Sequence, residues 1–379
     1  MVENNNAMQR QVLSLPDLLR QQYQDLEPKT RKILTTPEIF SIQNIVLTGC
    51  GDSKFAAMAT KHAFESLTGM RTEVVTAVEL ARYYPKKRLG NAPNNPLVIA
   101  VSNSGGVARV GEAVQRCVQN GAFVLGVTGK ESSLLGQSCS RILKLDIPSF
   151  DSAPGVRGYL VSVLVLQLLA IRIGEVRGKY TMDEANAMRK DLLKQADALE
   201  EALPRLDTQM GALAKQWQHL EAFDFLGAGP DEAAAAFGQA KVFEATGKYA
   251  MCVNTEEFLH LNFFMRNVDR IGTILCCHSQ SPALSRAQEV AAHCVYDLRR
   301  PTMVVTDDAA AFDIPAENIV LVPKSQYALT APLTQFVPLA LLMADLMHLL
   351  GEVSGRGCVD NWAFAKGGAG IKNSKIVVL

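Results

Sequence analysis

The sequence predicts an α/β protein made of two tandem doubly wound parallel-sheet domains related by internal duplication, and three observations carry that prediction. The chain has 379 residues, more than one ordinary core organises, so roughly two domains of about 150–200 residues are expected. Short apolar runs end in small polar turns and pass into helical patterns, the alternation of a parallel sheet covered by helices on both faces. The ends of these runs also repeat: Cys50, Ser102, Val127 and Asp146 are followed 177 or 178 residues later by Ala228, Ser279, Val305 and Pro323, the mark of a duplicated unit.

Taken in order, residues 8–35 place Leu13, Leu15, Leu18, Leu19, Tyr23 and Leu26 among polar residues, with Pro16 near a helix start. This is an amphipathic leader helix within residues 1–40. A first domain over 41–180 opens with the strand 45–48, which runs into GCGDS and a helix. The strand 97–101 (LVIAV) then enters SNSGG and a helix, and strands at 123–127 and 142–145 precede an apolar helix. The polar helical stretch 181–219 reads as a linker, assigned to 181–220. In the second domain, 221–355, strands at 223–226, 273–277, 303–305 and 319–322 lead into GAGPDE, HSQS, TDD and PKS. Residues 356–379 form a tail expected to close the site.

Lys plus Arg and Asp plus Glu both number 38, which removes the electrostatic case for a nucleic-acid or anionic-membrane partner. The eight cysteines show no CxxC pair and no metal spacing with the histidines, so neither a disulfide framework nor a zinc site is expected, and a reducing cytoplasm fits. The polar N-terminus lacks a signal-peptide core. The apolar runs 159–171 and 336–350 read as shorter than a spanning helix, the second carrying Asp345 and His348. Both are expected to be buried, with no membrane partner.

Two regions carry chemistry. Ligands of a doubly wound sheet bind beyond the carboxyl ends of the strands, at helix N-termini. Ser102, Asn103, Ser104 and Gly105 offer hydroxyls, an amide and a close-approach glycine there, and Ser53 follows the neighbouring strand. Phosphate is the natural tenant; helix capping by Ser102 and Ser104 is the competing reading. Ser132 and Ser133 read as caps. In AKVFEATGKYAMCVNTEEFLH, Lys241 and Glu244 share a helix face and His260 follows Glu244 by sixteen residues. A carboxylate, an ammonium and an imidazole are the groups a sugar isomerase needs, whereas a solvated Lys–Glu pair and a core histidine are the alternatives.

Together these loops, the repeat and the Lys241 to His260 stretch resemble the double sugar isomerase (SIS) domain family, whose fold is flavodoxin-like. The likeness is strongest to the isomerase half of glutamine–fructose-6-phosphate amidotransferases and extends to stand-alone fructosamine-6-phosphate deglycases and amino-sugar-phosphate deaminases. The family's CGTS turn reads here Cys50, Gly51, Asp52, Ser53, and its SQSGET loop reads Ser102 through Val107. Lys241, Glu244 and His260 match the family's spacing without a gap. The resemblance implies that Glu244 shuttles a proton between C1 and C2 of an open-chain sugar phosphate and that Lys241 assists near the developing charge. His260 would help open the ring from a neighbouring subunit, which implies a homodimer. Arg157 falls where the family has a lysine and is a pocket candidate.

Of the tail lysines Lys366, Lys372 and Lys375, the last is the choice by position for the family's C-terminal lysine. Val107 replaces a phosphate-binding threonine, and Asp52 puts a carboxylate where a neutral hydroxyl is usual. No glutaminase domain precedes residue 1, so deamination, deglycation or plain isomerisation is the expected direction, without metal or organic cofactor because the substrate's own nitrogen stabilises the intermediate. A non-catalytic sugar-phosphate sensor is the alternative, against which the trio Lys241, Glu244 and His260 counts.

Overall fold

A computed structural model describes residues 6–91, 95–355 and 369–379. Lys366 and Cys358 lie outside the described residues. The chain opens with α1 (Ala7–Leu13), α2 (Leu15–Lys32) and α3 (Thr36–Ser41), then β1 (Asn44–Thr48), α4 (Asp52–Thr68), β2 (Arg71–Val74), α5 (Ala77–Arg82), β3 (Leu97–Val101) and α6 (Ala108–Gln119). Next come β4 (Phe123–Thr128), α7 (Leu134–Ser138), β5 (Arg141–Lys144), α8 (Arg157–Val176) and α9 (Met182–Trp217). The rest comprises β6 (Ala222–Gly227), α10 (Pro230–Thr246), β7 (Tyr249–Asn254), α11 (Thr255–Leu261), β8 (Ile271–Cys276), α12 (Leu284–Ala292), β9 (Thr302–Thr306), β10 (Ile319–Leu321), α13 (Val337–Leu349) and α14 (Ala369–Lys372).

The described residues fall into two compact units. One draws on Leu19–Ser149, Gly158–Lys190 and Gly357–Leu379, the other on Met1–Leu18, Phe150–Arg157 and Asp191–Arg356. The first holds a parallel five-stranded sheet of order β2-β1-β3-β4-β5 and the second a parallel sheet of order β10-β9-β8-β6-β7. Read from its other edge, the second order is the first again, as the internal repeat predicts. In each sheet the chain reverses its direction of winding between the first and third strands, which opens a crevice at their carboxyl ends.

The central strands are legible because they are covered on both faces: every residue of β3 (LVIAV) and of β8 (IGTILC) is buried. The sequence reading gave four strands to each domain, and the structure adds β2 and β7. Both are edge strands, RTEV and YAMCVN, mostly half-buried or exposed, so they lack the continuous apolar run that marks a central strand. A second correction concerns length. The stretches Arg157–Val176 (20 residues) and Ala328–Leu349 (22 residues) are long and apolar enough to cross a membrane, yet 83% and 94% of their apolar windows are buried within the protein. They are core helices of greater length than the apolar runs alone suggested.

Helix α10 is seated closely. A Cβ on Gly238 would stand 2.3 Å from the Phe225 ring of β6, and Phe237 meets Phe336 edge to face at 5.1 Å between ring centroids. The missing side chain at Gly238 therefore lets this helix lie against the sheet, and its position fixes the direction in which Lys241 and Glu244 leave the backbone.

Candidate functional site

In the first unit the crevice between β1 and β3 is bordered by the loops 49–53 and 102–106. Gly51 (φ +55°) precedes α4 and Val107 precedes α6, and neither helix receives a side-chain cap. The capping alternative for Ser102 and Ser104 therefore does not hold. Among the described residues, the hydroxyls of Ser53 and Ser102 and the side-chain amide of Asn103 make no hydrogen bond. Ser104 Oγ accepts only weakly, from the Gly106 amide at 3.4 Å.

The loop is held from behind by its backbone. The Asn103 carbonyl accepts from Gly129 N at 3.0 Å and Thr128 Oγ1 at 3.3 Å, and the Gly105 carbonyl accepts from Leu135 N at 3.0 Å. Gly105 sits at φ +63°, and a Cβ there would lie 1.9 Å from Ser133 Oγ, so this position requires glycine on both counts. Ser133 itself caps α7 through Gly136 N, as expected. The result is a rigid loop whose free donors and two uncapped helix N-termini face the same strand ends, the arrangement that takes an anion. Cys50 is exposed here, with Lys54 and Arg109 in electrostatic reach of it.

In the second unit, α10 brings Lys241 and Glu244 together. Lys241 is fully buried, its Nζ 2.9 Å from Glu244 Oε2 and 4.8 Å from the centre of the Phe237 ring. Glu244 is 43% exposed and borders a cleft of about 230 Å³ shared with Ser152, Ala153, Pro154, Gly155, Ser354 and Gly355. A buried ammonium against a half-exposed carboxylate is not a solvated surface pair. His260 does not join them. It lies on α11, 66% exposed, with Nε2 3.2 Å from Glu256, which in turn pairs with Arg286 at 2.7 Å.

Arg157, the weakest pocket candidate, is committed elsewhere: it is buried, donates to Ser14 Oγ at 2.6 Å and covers the Phe150 ring at 4.3 Å. Lys372 and Lys375 are both exposed, and the Lys375 carbonyl accepts from Arg109 at 3.1 Å.

The crevice between β6 and β8 is built differently, from residues that motif reading did not select. Asp307 accepts from Ser279 N at 2.7 Å and Ser279 Oγ at 3.0 Å, with His278 Nε2 3.3 Å away. Asp231 accepts from His278 N at 3.3 Å and Gln335 Nε2 at 2.8 Å. Burial pushes the Asp231 carboxyl up to about 6, against the pull of Gln335, the His278 amide and Ser281. Burial likewise holds the His278 pKa below its usual value, although Asp307 favours the charged form. Here two carboxylates already accept from the donors that the first unit leaves free. The sequence signals were the turns GAGPDE, HSQS and TDD at the strand ends, which hold Asp231, His278, Ser279 and Asp307.

Residues 38–172 match the family model described as SIS domain. The stretch that carries the first sheet thus matches a SIS domain. The second unit repeats the strand order of the sheet that lies within this match. It is 23% identical over 317 residues, 82% of its own length and 50% of the relative's, to a glutamine–fructose-6-phosphate aminotransferase (isomerizing) of Thermus thermophilus. The chain thus spans about half the length of the curated relatives it matches. Among solved structures it resembles the C-terminal domain of glucosamine-fructose-6-phosphate aminotransferase from Francisella tularensis, with a TM-score of 0.79, 16% identity and coverage of 93% of this chain and 98% of that one. Glucosamine-6-phosphate deaminase from Thermotoga maritima gives a TM-score of 0.67 at 15% identity, covering 92% and 96% of the two chains. These structural likenesses establish the fold.

Proposed function

We propose that this protein is a phosphosugar isomerase or deaminase acting on an amino-sugar or fructosamine 6-phosphate. The observation that carries the reading is the first crevice, where two uncapped helices meet the uncommitted Ser53, Ser102 and Asn103 side chains. Such a site suits the phosphate of an otherwise neutral sugar. The names of the relatives and of the structural neighbours supply the sugar and the nitrogen.

In this reading the Glu244 carboxylate takes a proton from C1 or C2 of the open-chain sugar and becomes a carboxylic acid. The carbon's bonding pair moves into an enediol or enolamine, and Glu244 returns the proton to the neighbouring carbon, so the base is regenerated. With nitrogen on C2 the transfer yields a C2 imine, and with nitrogen on C1, as in a fructosamine, a C1 imine; water adds to that carbon, its oxygen stays as the carbonyl, and ammonia or amine leaves. Lys241, paired with Glu244 at 2.9 Å, offsets charge that develops on the sugar oxygen. His260, exposed and apart from its own Glu244, fits the role of opening the ring in a neighbouring subunit of a homodimer, and Lys375 that of the tail lysine. Solvent in a cytoplasmic setting supplies the water.

The test is amine release from glucosamine 6-phosphate and several fructosamine 6-phosphates, with Glu244→Gln beside the wild type. Release that falls by about 10²-fold or more in the variant, the scale of a lost general base, supports the reading. Absence of both release and deuterium exchange at C2 in the wild type, with the same sugars still raising the melting temperature, would instead establish a non-catalytic sensor.

A further inference from the structure

Two charged residues on α6 do something the sugar chemistry above does not use. Glu112 is buried completely although it is ionised in its surroundings: it accepts from Arg82 Nη2 at 3.1 Å, from Arg109, and from the backbone amide of Val377 at 2.8 Å. Burial alone would push its carboxyl up, but the Val377 amide and the two guanidiniums outweigh that and hold it below the usual carboxylate range. Arg109, one residue into α6, turns its other nitrogen to the same tail: Nη2 donates to Ser374 Oγ at 2.6 Å and to the Lys375 carbonyl at 3.1 Å. Three residues of the tail, Ser374, Lys375 and Val377, are thereby tied through one guanidinium and one carboxylate to the start of the helix that follows the anion loop.

We propose that Arg109, braced by Glu112, is a positioning residue that seats the C-terminal segment 374–377 beside the first crevice and so fixes the backbone from which Lys375 reaches. The physical case is that each partner needs the tail. Without Val377 the buried Glu112 loses an amide donor, and without Ser374 and Lys375 the Arg109 guanidinium loses two acceptors. A planar guanidinium suits this task because it donates in two directions at once, which an ammonium on a flexible stem does not. Arg109 is also in electrostatic reach of Cys50 at the end of β1, so the clamp stands at the crevice itself. The proposal rests on the reading of Lys375 as a site lysine.

The experiment uses the full chain and two readouts. In Arg109→Gln, amide exchange in the C-terminal peptide containing Val377 should accelerate by about tenfold or more, and Arg109→Lys should not restore it. On an amine-releasing sugar phosphate, Arg109→Gln and Lys375→Ala should each lower kcat more than they raise KM, and the double variant should lose no more than the worse single one, since both act through one group. Unchanged exchange, or losses that simply multiply, would overturn the proposal. If the wild type turns over no sugar, the functional reading alone falls, and the exchange result at Val377 decides the clamp.

Discussion

The two units share one sheet order and have opposite crevices. In the first, the side chains of Ser53, Ser102 and Asn103 make no hydrogen bond among the described residues, and both helix N-termini lack a side-chain cap. In the second, Asp307 and Asp231 already accept from the amides of Ser279 and His278. A carboxylate on loop amides does what a bound phosphate oxygen would do, and two such carboxylates repel a phosphate that approaches. The difference teaches how copies of one fold diverge: the first crevice keeps donors open to an anion, as the proposed function requires, whereas the second engages its own donors with carboxylates.

The comparison can be broken at its most sensitive point first. Under the proposed function the carboxylate serves the chemistry and the crevice the binding, so Glu244→Gln should cost turnover by about 10²-fold or more while leaving sugar-phosphate affinity within about threefold; amine release and calorimetry check the two halves. Next in size is Gly105→Ala. With φ at +63° and Ser133 Oγ 1.9 Å from the new Cβ, the loop must move, and affinity should fall by about tenfold or more, from about 1.4 kcal/mol of lost binding per tenfold.

A pH titration sharpens the contrast further, since the units respond in opposite senses. The folded Asp231 carboxyl is raised to about 6 from an ordinary 3.8. The folded state therefore binds the extra proton between those values, and its contribution is fully present below about pH 4 and lost as pH rises through 6. Glu112 is depressed from 4.5, so its contribution is present above that value and lost as pH falls through the lower folded pKa. Thermal melts of Asp231→Asn against wild type should thus gain most, relative to wild type, above pH 6. The smallest effect is expected of Ser104→Ala, about threefold or less in affinity, since that hydroxyl already leans on the Gly106 amide.

How much of this could be read in the sequence depends on where the partners lie along the chain. The central strands announce themselves as apolar runs, and Lys241 and Glu244 as neighbours on one helical face, because all their determinants are local. The edge strands RTEV and YAMCVN do not, since one residue of each is buried and the others are half-buried or exposed. The closure of the second crevice joins positions 231, 279, 307 and 335, and the clamp joins Glu112 to an amide 265 residues away. Arg109 and Glu112 look in sequence like an ordinary exposed pair three apart. Only folding shows that the carboxylate is buried and that the tail is its third partner.

The central claim is that one crevice per chain takes the sugar phosphate, and it is the first. Isothermal titration of fructose 6-phosphate into wild type, Ser102→Ala and Ser279→Ala tests it most directly. The account predicts one site per chain, weakened about tenfold or more in Ser102→Ala and unchanged in Ser279→Ala. Two sites per chain, or a single site lost in Ser279→Ala and intact in Ser102→Ala, would contradict it.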